Sequence, residues 1–357
     1  MRCSYCFYCD IANNREQRSY GFMSEETLEQ VVKKALAHAS KSCTIAFQGG
    51  EPTLRGLDFY KTLIELQKKY NILNIEIQNS IQTNALELDD EFIIFLAENS
   101  FLTGISLDGN KTAHNAYRKT ASGADTFFDV LDTIGRFDKY RAEYNILTVV
   151  NAMTGKKADK IYYFYKKNGM EFLQFIPCLD PLNEAPGGSG HSLTPEVYGK
   201  FLCELFDLWY DDFWDMTNPY IRRFENYIAI LLGHGAESCD MRGVCGDQYV
   251  VEADGEVYPC DFYVLPEYGL GNLNDKTFDE IDEKRKDIGF VEYSQKIRES
   301  CVSCRYYPIC RGGCRRHRLI SDGDKTLNYF CDAYKKFFGH ALDRLIEIAE
   351  TAKGERR

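Results

Sequence analysis

The chain has 357 residues, of which 44% are hydrophobic and 14% aromatic, so it can form one large domain and a smaller one around a sizeable core. A formal net charge of -11 argues against a nucleic-acid partner bound through its phosphates. No apolar run approaches a membrane span, and no signal peptide is evident. We therefore expect a cytoplasmic protein whose 14 cysteines are metal ligands or catalytic groups rather than disulfides.

Strand-like and helix-like segments alternate through the first half of the chain. Helices are predicted at 25–39, 57–69, 89–99, 125–139 and 157–168, and strands at 44–47, 75–77, 104–107, 144–150 and 172–176. Strands that alternate with helices of this length indicate βα units and a parallel sheet. A further strand is expected ahead of the opening cysteines, where only two residues are present, so the first strand of the predicted fold is missing.

Three cysteines, Cys3, Cys6 and Cys9, fall within the first nine residues. Residues 3–6 read Cys-Ser-Tyr-Cys and match the second half of a Cys-x3-Cys-x-aromatic-Cys pattern, whose first cysteine would lie two residues upstream of the given start. An alignment that ends at Cys9 requires a cysteine where the sequence has Arg2, so we prefer the first alignment and assign Cys9 no role. We expect that the given start is too late. On these residues alone, a zinc site or three unrelated thiols remain alternatives.

The segment Gln48-Gly49-Gly50-Glu51-Pro52 follows the predicted strand 44–47. Its glycines let the backbone approach a ligand closely, and the anionic Glu51 suits an ammonium group. Such folds place their sites at this end of their strands. Taken alone, the segment could also be an ordinary turn.

Eight further cysteines lie within fewer than a hundred residues near the C-terminus, and their number makes two sets of four. A zinc ribbon is the alternative for the middle of this run. Three isolated cysteines, Cys43, Cys178 and Cys203, lie in apolar contexts and are predicted to be buried thiols. The eight clustered cysteines are Cys239, Cys245, Cys260, Cys301, Cys304, Cys310, Cys314 and Cys331.

Together these motifs resemble those of the radical S-adenosylmethionine (SAM) enzymes that carry a SPASM domain. Within that group the chain is most similar to the anaerobic sulfatase-maturating enzymes, over nearly its whole length and most specifically at 175–182, 205–210 and 258–264. The resemblance implies an α/β fold with a partial (βα)6 barrel that lacks its first strand. We expect this barrel at 1–185, a helical connector at 186–236, the SPASM domain at 237–335 and a C-terminal helix at 336–357.

The same resemblance implies three [4Fe–4S] clusters and bound SAM. Cys3 and Cys6 would hold the SAM-binding cluster. Ser106 and Arg118 would contact the SAM carboxylate, for which a guanidinium is a natural bidentate partner. The other implied SAM contacts are Tyr5, Gly49, Gly50, Glu51 and Leu179. One auxiliary cluster would be bound by Cys239, Cys245, Cys260 and Cys314, and the other by Cys301, Cys304, Cys310 and Cys331.

The implied reaction oxidises a cysteine or serine in a Cys/Ser-x-Pro-x-Arg segment of an unfolded sulfatase or peptide to formylglycine. A 5′-deoxyadenosyl radical would take a hydrogen atom from the Cβ, Asp261 would act as the base, and the auxiliary clusters would accept the second electron. An external one-electron reductant of the flavodoxin or ferredoxin type is also implied. Neither a nucleic acid nor a membrane is an expected partner.

Two other functions are compatible with parts of the pattern. The first is a different SPASM peptide maturase, one that makes thioether or carbon–carbon crosslinks. The second is a degenerate protein that keeps its iron–sulfur clusters only for binding or electron transfer. The intact segment 49–52, together with Ser106 and Arg118, argues against a degenerate protein.

Overall fold

The structure is a computed structural model that describes residues 1–322 and 325–354. Its centre is a six-stranded sheet in which every neighbouring pair is parallel and the strands follow one another in chain order. The predicted α/β fold with a parallel sheet is therefore confirmed. The strands of this sheet, labelled β1 to β6, are Ser42–Phe47, Glu76–Thr83, Leu102–Ser106, Tyr144–Val150, Phe172–Pro177 and Tyr220–Ile221.

The five predicted helices of the first half are confirmed, and each connects two strands or leads into the sheet. Side chains cap two of them: Ser24 accepts a hydrogen bond from the backbone of Thr27, and Asp89 accepts one from that of Phe92. Their apolar faces pack on the sheet and form one large core with it. These helices are Glu25–His38, Leu57–Tyr70, Asp90–Glu98, Phe127–Tyr140 and Ala158–Lys167.

Two features of the sheet differ from the prediction. Strand β2 continues six residues beyond the predicted end at 77, through a polar stretch. It tolerates this stretch because the buried amides of Asn79 and Gln67 exchange hydrogen bonds of 2.8 and 3.0 Å. Strand β6 was not predicted, since its two residues, Tyr220–Ile221, are too few to show a pattern.

The opening residues lie outside the sheet. The short strand Arg2–Cys3 pairs in antiparallel fashion with Arg118–Lys119, and the helix Phe7–Asn13 follows it. Arg118 itself follows the helix Lys111–Tyr117, so this pairing brings Cys3 beside Arg118. The first barrel strand that the sequence led us to expect stays a prediction.

The second half of the chain joins the sheet to the cysteine-rich region through helices. Pro195–Phe213 and Arg222–Leu231 pack against the long helix Cys331–Gly354. There Phe224 stacks on Phe337, and Phe206 lies edge-on to both rings. This helix begins at Cys331, ahead of the predicted boundary at 336, and β6 lies within the predicted connector. The domain boundaries themselves stay a prediction.

The cysteine-rich region is built from short elements. It contains a three-stranded antiparallel sheet, a two-stranded hairpin and several helices of one to three turns. Across the described ranges, no helix is both long enough and apolar enough to cross a lipid bilayer. The strands are Val250–Val251, Glu256–Tyr258, Gly271–Asn272, Arg318–Asp322 and Lys325–Asn328, and the helices are Cys239–Arg242, Phe278–Asp287, Phe290–Ser294, Glu299–Val302 and Tyr307–Cys310.

Candidate active site at the ends of the strands

The carboxyl ends of the parallel strands meet at one edge of the sheet. The register pairs Phe47 with Ile81, Thr83 with Ile105 and Val150 with Pro177, so the strands end at nearly the same level of the sheet. The loops that follow them therefore converge, and they carry most of the predicted SAM contacts. The predicted residues at this edge are Gly49, Gly50, Glu51, Ser106 and Leu179.

The two glycines after β1 adopt backbone conformations that other residues rarely adopt. Gly49 has φ +92°, and a Cβ there would lie 3.3 Å from the ring of Tyr8. Gly50 has φ +59°, and no atom lies within 4 Å of its Cβ position. The first glycine thus lets Tyr8 approach the loop, whereas the second leaves open space over the backbone where a ligand can approach.

Glu51 holds this loop against the next strand. Its Oε1 accepts hydrogen bonds from Thr53 and from the hydroxyl of Thr83 at 2.7 Å, and its Oε2 accepts one from the backbone N–H of Asn84 at 2.8 Å. A carboxylate oxygen has two lone pairs, so Oε2 keeps an acceptor position for an ammonium group. Contact between Glu51 and the SAM amino group stays a prediction.

Arg118 lies in a buried ion pair that the sequence did not indicate. Its Nε lies 3.0 Å from Oδ2 of Asp108 and its Nη2 lies 3.2 Å from Oδ1, while both side chains are almost wholly buried. Tyr5 also donates a hydrogen bond to Asp108, and the third guanidinium nitrogen, Nη1, lies 3.8 Å from the sulfur of Cys3. Asp108 therefore positions Arg118 and Tyr5 beside Cys3.

The three opening cysteines lie close together. The backbone N–H of Cys6 bonds to the carbonyl of Cys3 at 3.2 Å, and that of Cys9 bonds to the carbonyl of Cys6 at 3.1 Å. Burial raises the pKa of the Cys3 thiol, whereas the Arg118 guanidinium lowers it. Burial raises the pKa of Cys9 to about 11, with contributions from Cys6 and Cys3. A turn that groups thiols beside a cation fits an anionic iron–sulfur cluster.

Asp261, the predicted base, lies against the loop that follows β1. The side-chain amide of Gln48 donates to Oδ2 of Asp261 at 3.3 Å, and the Cys260 thiol donates to Oδ1 at 3.3 Å. Burial raises the pKa of Asp261, although these hydrogen bonds lower it in part. A raised pKa makes this carboxylate a stronger base.

An apolar contact brings Asp261 to the sheet. The ring of Phe7, which begins the helix after the opening cysteines, lies edge-on to that of Phe262 at 4.8 Å between centroids. On the same helix, Ile11 packs with Tyr258 and Val264 of the cysteine-rich region. The sequence placed Asp261 in the site by resemblance alone, and it missed Gln48 as a partner because 213 positions separate the two residues.

Four clustered cysteines, which we call the first set, lie near Asp261. Burial raises the pKa of Cys314, and Cys239 and Cys245 are electrostatic neighbours that raise it further. Burial also raises the pKa of Cys260, again with a contribution from Cys314. Cys314 is thus a close neighbour of Cys239, Cys245 and Cys260, and the binding of one cluster by these four cysteines stays a prediction.

The remaining four cysteines, which we call the second set, surround a cavity of about 220 Å³. Burial raises the pKa of Cys310 to about 11, with contributions from Cys331, Cys301 and Cys304. Within residues 1–322 and 325–354, no three His, Cys, Asp or Glu side chains converge tightly enough to hold a single metal ion. Four thiols around a cavity instead fit a cubane cluster, which is larger than one ion.

The three isolated cysteines lie away from these sets. Cys178 and Cys203 are buried, as predicted, whereas Cys43 is only partly buried. Burial raises the pKa of Cys203 to about 11. A neutral thiol in such a setting behaves as a small apolar side chain.

Comparison with known proteins gives these sites a family context. Residues 1–162 match the radical SAM superfamily, and residues 239–315 match an iron–sulfur cluster-binding domain, SPASM. A cysteine-type anaerobic sulfatase-maturating enzyme of Clostridium perfringens is 47% identical over 99% of this chain and 96% of the relative. A serine-type enzyme of Bacteroides thetaiotaomicron is 33% identical over 95% of this chain and 86% of the relative.

A solved structure agrees with this similarity. The structure of native anSMEcpe with bound AdoMet and the Kp18Cys peptide superposes with a TM-score of 0.93 at 46% identity, over 98% of this chain and 96% of that chain. The predicted recognition is confirmed, as is the prediction of a radical SAM enzyme with iron–sulfur clusters. The chain belongs to the anaerobic sulfatase-maturating enzymes of the radical SAM superfamily.

Proposed function

We propose that this protein oxidises the Cβ of a cysteine or serine in a Cys/Ser-x-Pro-x-Arg segment of a sulfatase to formylglycine, with Asp261 as the base. The observation that carries this assignment is the 3.3 Å contact between Gln48 and Asp261. This contact joins Asp261, the carboxylate to which we assign proton removal, to the loop that carries the predicted SAM contacts. A cysteine substrate is favoured, because the cysteine-type relatives are 46–47% identical and the serine-type relatives 28–33% identical.

The proposed ligands divide among three places. Cys3 and Cys6 would hold the SAM-binding cluster, and the two cysteine sets would hold the auxiliary clusters. When bound, SAM and its cluster supply a 5′-deoxyadenosyl radical that removes a hydrogen atom from the substrate, and the auxiliary clusters supply an acceptor for the remaining electron. Arg118, Ser106, Tyr5 and Leu179 would position the SAM carboxylate and adenosine beside the glycine loop.

Asp261 would take the thiol or hydroxyl proton of the substrate. The Cys260 thiol donates a hydrogen bond to Oδ1 of Asp261 at 3.3 Å. A cysteine that binds a cluster is a thiolate and has no hydrogen to donate, so Oδ1 would then be free to accept the substrate proton. Gln48 would keep Oδ2 in place meanwhile, and the packing of Phe7 on Phe262 would limit the access of water.

The reductant is proposed from family resemblance only. A one-electron carrier of the flavodoxin or ferredoxin type would deliver the electron that activates SAM.

The experiment that tests the function compares three peptides. Protein reconstituted with iron and sulfide under anaerobic conditions is given SAM, dithionite and a peptide with Cys, Ser or Ala at the target position of Cys-x-Pro-x-Arg. We expect formylglycine from the Cys peptide, less from the Ser peptide and none from the Ala peptide, as measured by mass spectrometry. A crosslinked product, or no peptide product while 5′-deoxyadenosine forms, would contradict the proposal.

A further inference from the structure

Arg318 lies between the two cysteine sets, and no motif in the sequence indicates it. In the described part of the chain its guanidinium donates hydrogen bonds to backbone carbonyl oxygens, each of which belongs to a loop or helix end near cluster ligands. The acceptors are Gly243 at 2.7 Å, Gly312 at 3.1 Å, Gly313 at 2.6 Å and, at a shorter distance, Ser294. One cation therefore connects several loops that are distant in sequence.

These loops carry ligands of both sets. Gly243 lies between Cys239 and Cys245 of the first set, and the segment 311–313 connects Cys310 of the second set to Cys314 of the first. The backbones of these loops touch, because a Cβ at Gly243 would overlap the carbonyl oxygen of Arg311. Arg318 donates to carbonyls on both sides of this contact, those of Gly243 and of Gly312 and Gly313.

The charge of Arg318 acts on thiols of both sets. Burial lowers the pKa of Arg318, whereas the thiols of Cys314, Cys245 and Cys301 raise it. Cys245 is also attached to this arrangement through its backbone, whose N–H donates to the hydroxyl of Ser294 at 3.0 Å. A guanidinium stays protonated in proteins, so Arg318 is a fixed positive charge at this position.

We propose that Arg318 is a shared positioning residue for the two auxiliary clusters, and that its charge sets the reduction potentials of both. The proposal rests on the proposed function only in assigning a cluster to each set. The potential of an iron–sulfur cluster depends on the net charge and the hydrogen bonds around it. Adding an electron to a cluster adds a negative charge, so a nearby cation favours the reduced form.

The test is a redox titration of the full-length, reconstituted protein without peptide, followed by electron paramagnetic resonance. Arg318→Gln removes the charge, and we expect the equilibrium constant for one-electron reduction to fall at least tenfold at both auxiliary clusters. For a one-electron couple, tenfold corresponds to a potential lower by about 59 mV. The SAM-binding cluster serves as an internal reference, because the addition of SAM identifies its signal and Arg318 is not among the neighbours of Cys3.

Two further variants separate charge from structure. Arg285→Gln is the matched control, since Arg285 is a buried arginine that also donates to a backbone carbonyl, but to that of Gln248 at 3.0 Å and not to the segment that connects Cys310 to Cys314. It should leave all potentials unchanged. Arg318→Lys keeps the positive charge, so both reduction potentials should stay near those of the parent protein. It loses the planar guanidinium that donates to several carbonyls at once, so the variant should retain less iron.

Three outcomes would overturn the proposal. These are unchanged potentials in Arg318→Gln with full iron content, a change at one auxiliary cluster only, or a tenfold effect in Arg318→Lys. Where Arg318→Gln does not retain both clusters, the Lys variant alone decides. Since the titration contains no peptide, a parent protein that makes no formylglycine would refute the proposed function and leave this result unaffected.

Discussion

The buried pair of Asp108 and Arg118 offers a prediction that joins stability to cofactor binding. Asp108→Asn keeps the shape of the side chain and still allows it to accept the backbone N–H of Val149, now 2.9 Å from Oδ1. It removes the charge opposite a guanidinium whose side chain is only 7% exposed. Breaking a buried pair from one side costs about 3–5 kcal/mol, because the remaining charge is buried without compensation. We expect a loss in this range in anaerobic urea unfolding followed by circular dichroism.

The double variant Asp108→Asn, Arg118→Met separates the two roles of the pair. Replacing both charges by neutral groups removes the buried, uncompensated cation, so most of the lost stability should return. SAM affinity should stay at least tenfold below that of the parent, because the guanidinium predicted to bind the SAM carboxylate is gone. Equilibrium dialysis measures this affinity. A loss below about 1 kcal/mol in Asp108→Asn, or a double variant as unstable as the single one, would refute the reasoning.

Three other perturbations probe separate parts of the molecule. Gly49→Ala should lower the free energy of unfolding in urea by about 1–3 kcal/mol, and Gly50→Ala by about 1 kcal/mol. The difference is expected because an added Cβ meets a neighbouring ring only at position 49, and equal losses would contradict this reasoning. Cys331→Ala should lose one cluster's iron and sulfide after reconstitution, whereas the buried, isolated Cys203→Ala should lose none. Burial lowers the pKa of His114 to about 4, below its ordinary 6.5. Between these two values the unfolded chain binds more protons than the folded one, so the free energy of unfolding should fall on acidification, by about 2 kcal/mol at pH 5. A His114→Gln variant should show a shallower dependence of stability on pH.

The order of elements in the first half of the chain could be predicted from sequence because each helix shows an apolar face and each strand a short apolar run. Strand β2 was predicted too short, since the pairing of Asn79 with Gln67 depends on a contact between a strand and a helix. Strand β6 was missed because Tyr220–Ile221 is specified by its neighbours in the sheet and not by a local pattern.

The site shows the same division between local motifs and distant contacts. The cysteine spacing and the glycine segment 48–52 are local, so the sequence located them. Three other features depend on how distant segments pack, and a single sequence carries no sign of them. They are the role of Asp108, the contact of Gln48 with Asp261, and the position of Arg318 between two cysteine sets. The assignment of the eight cysteines to two clusters came from family resemblance and stays a prediction, although the fold places the second set around one cavity.

Peptide oxidation by this protein is proposed to depend on Asp261, which Gln48 holds at the edge of the sheet. The most direct test measures formylglycine formed per 5′-deoxyadenosine released by Asp261→Asn, with a Cys-x-Pro-x-Arg peptide under anaerobic conditions. SAM binding and cleavage use other residues and should persist, whereas formylglycine should fall by about 10²–10⁴-fold, the usual effect of removing a general base. Formylglycine made at the parent rate, or equal losses of both products, would contradict the assignment of Asp261 as the base.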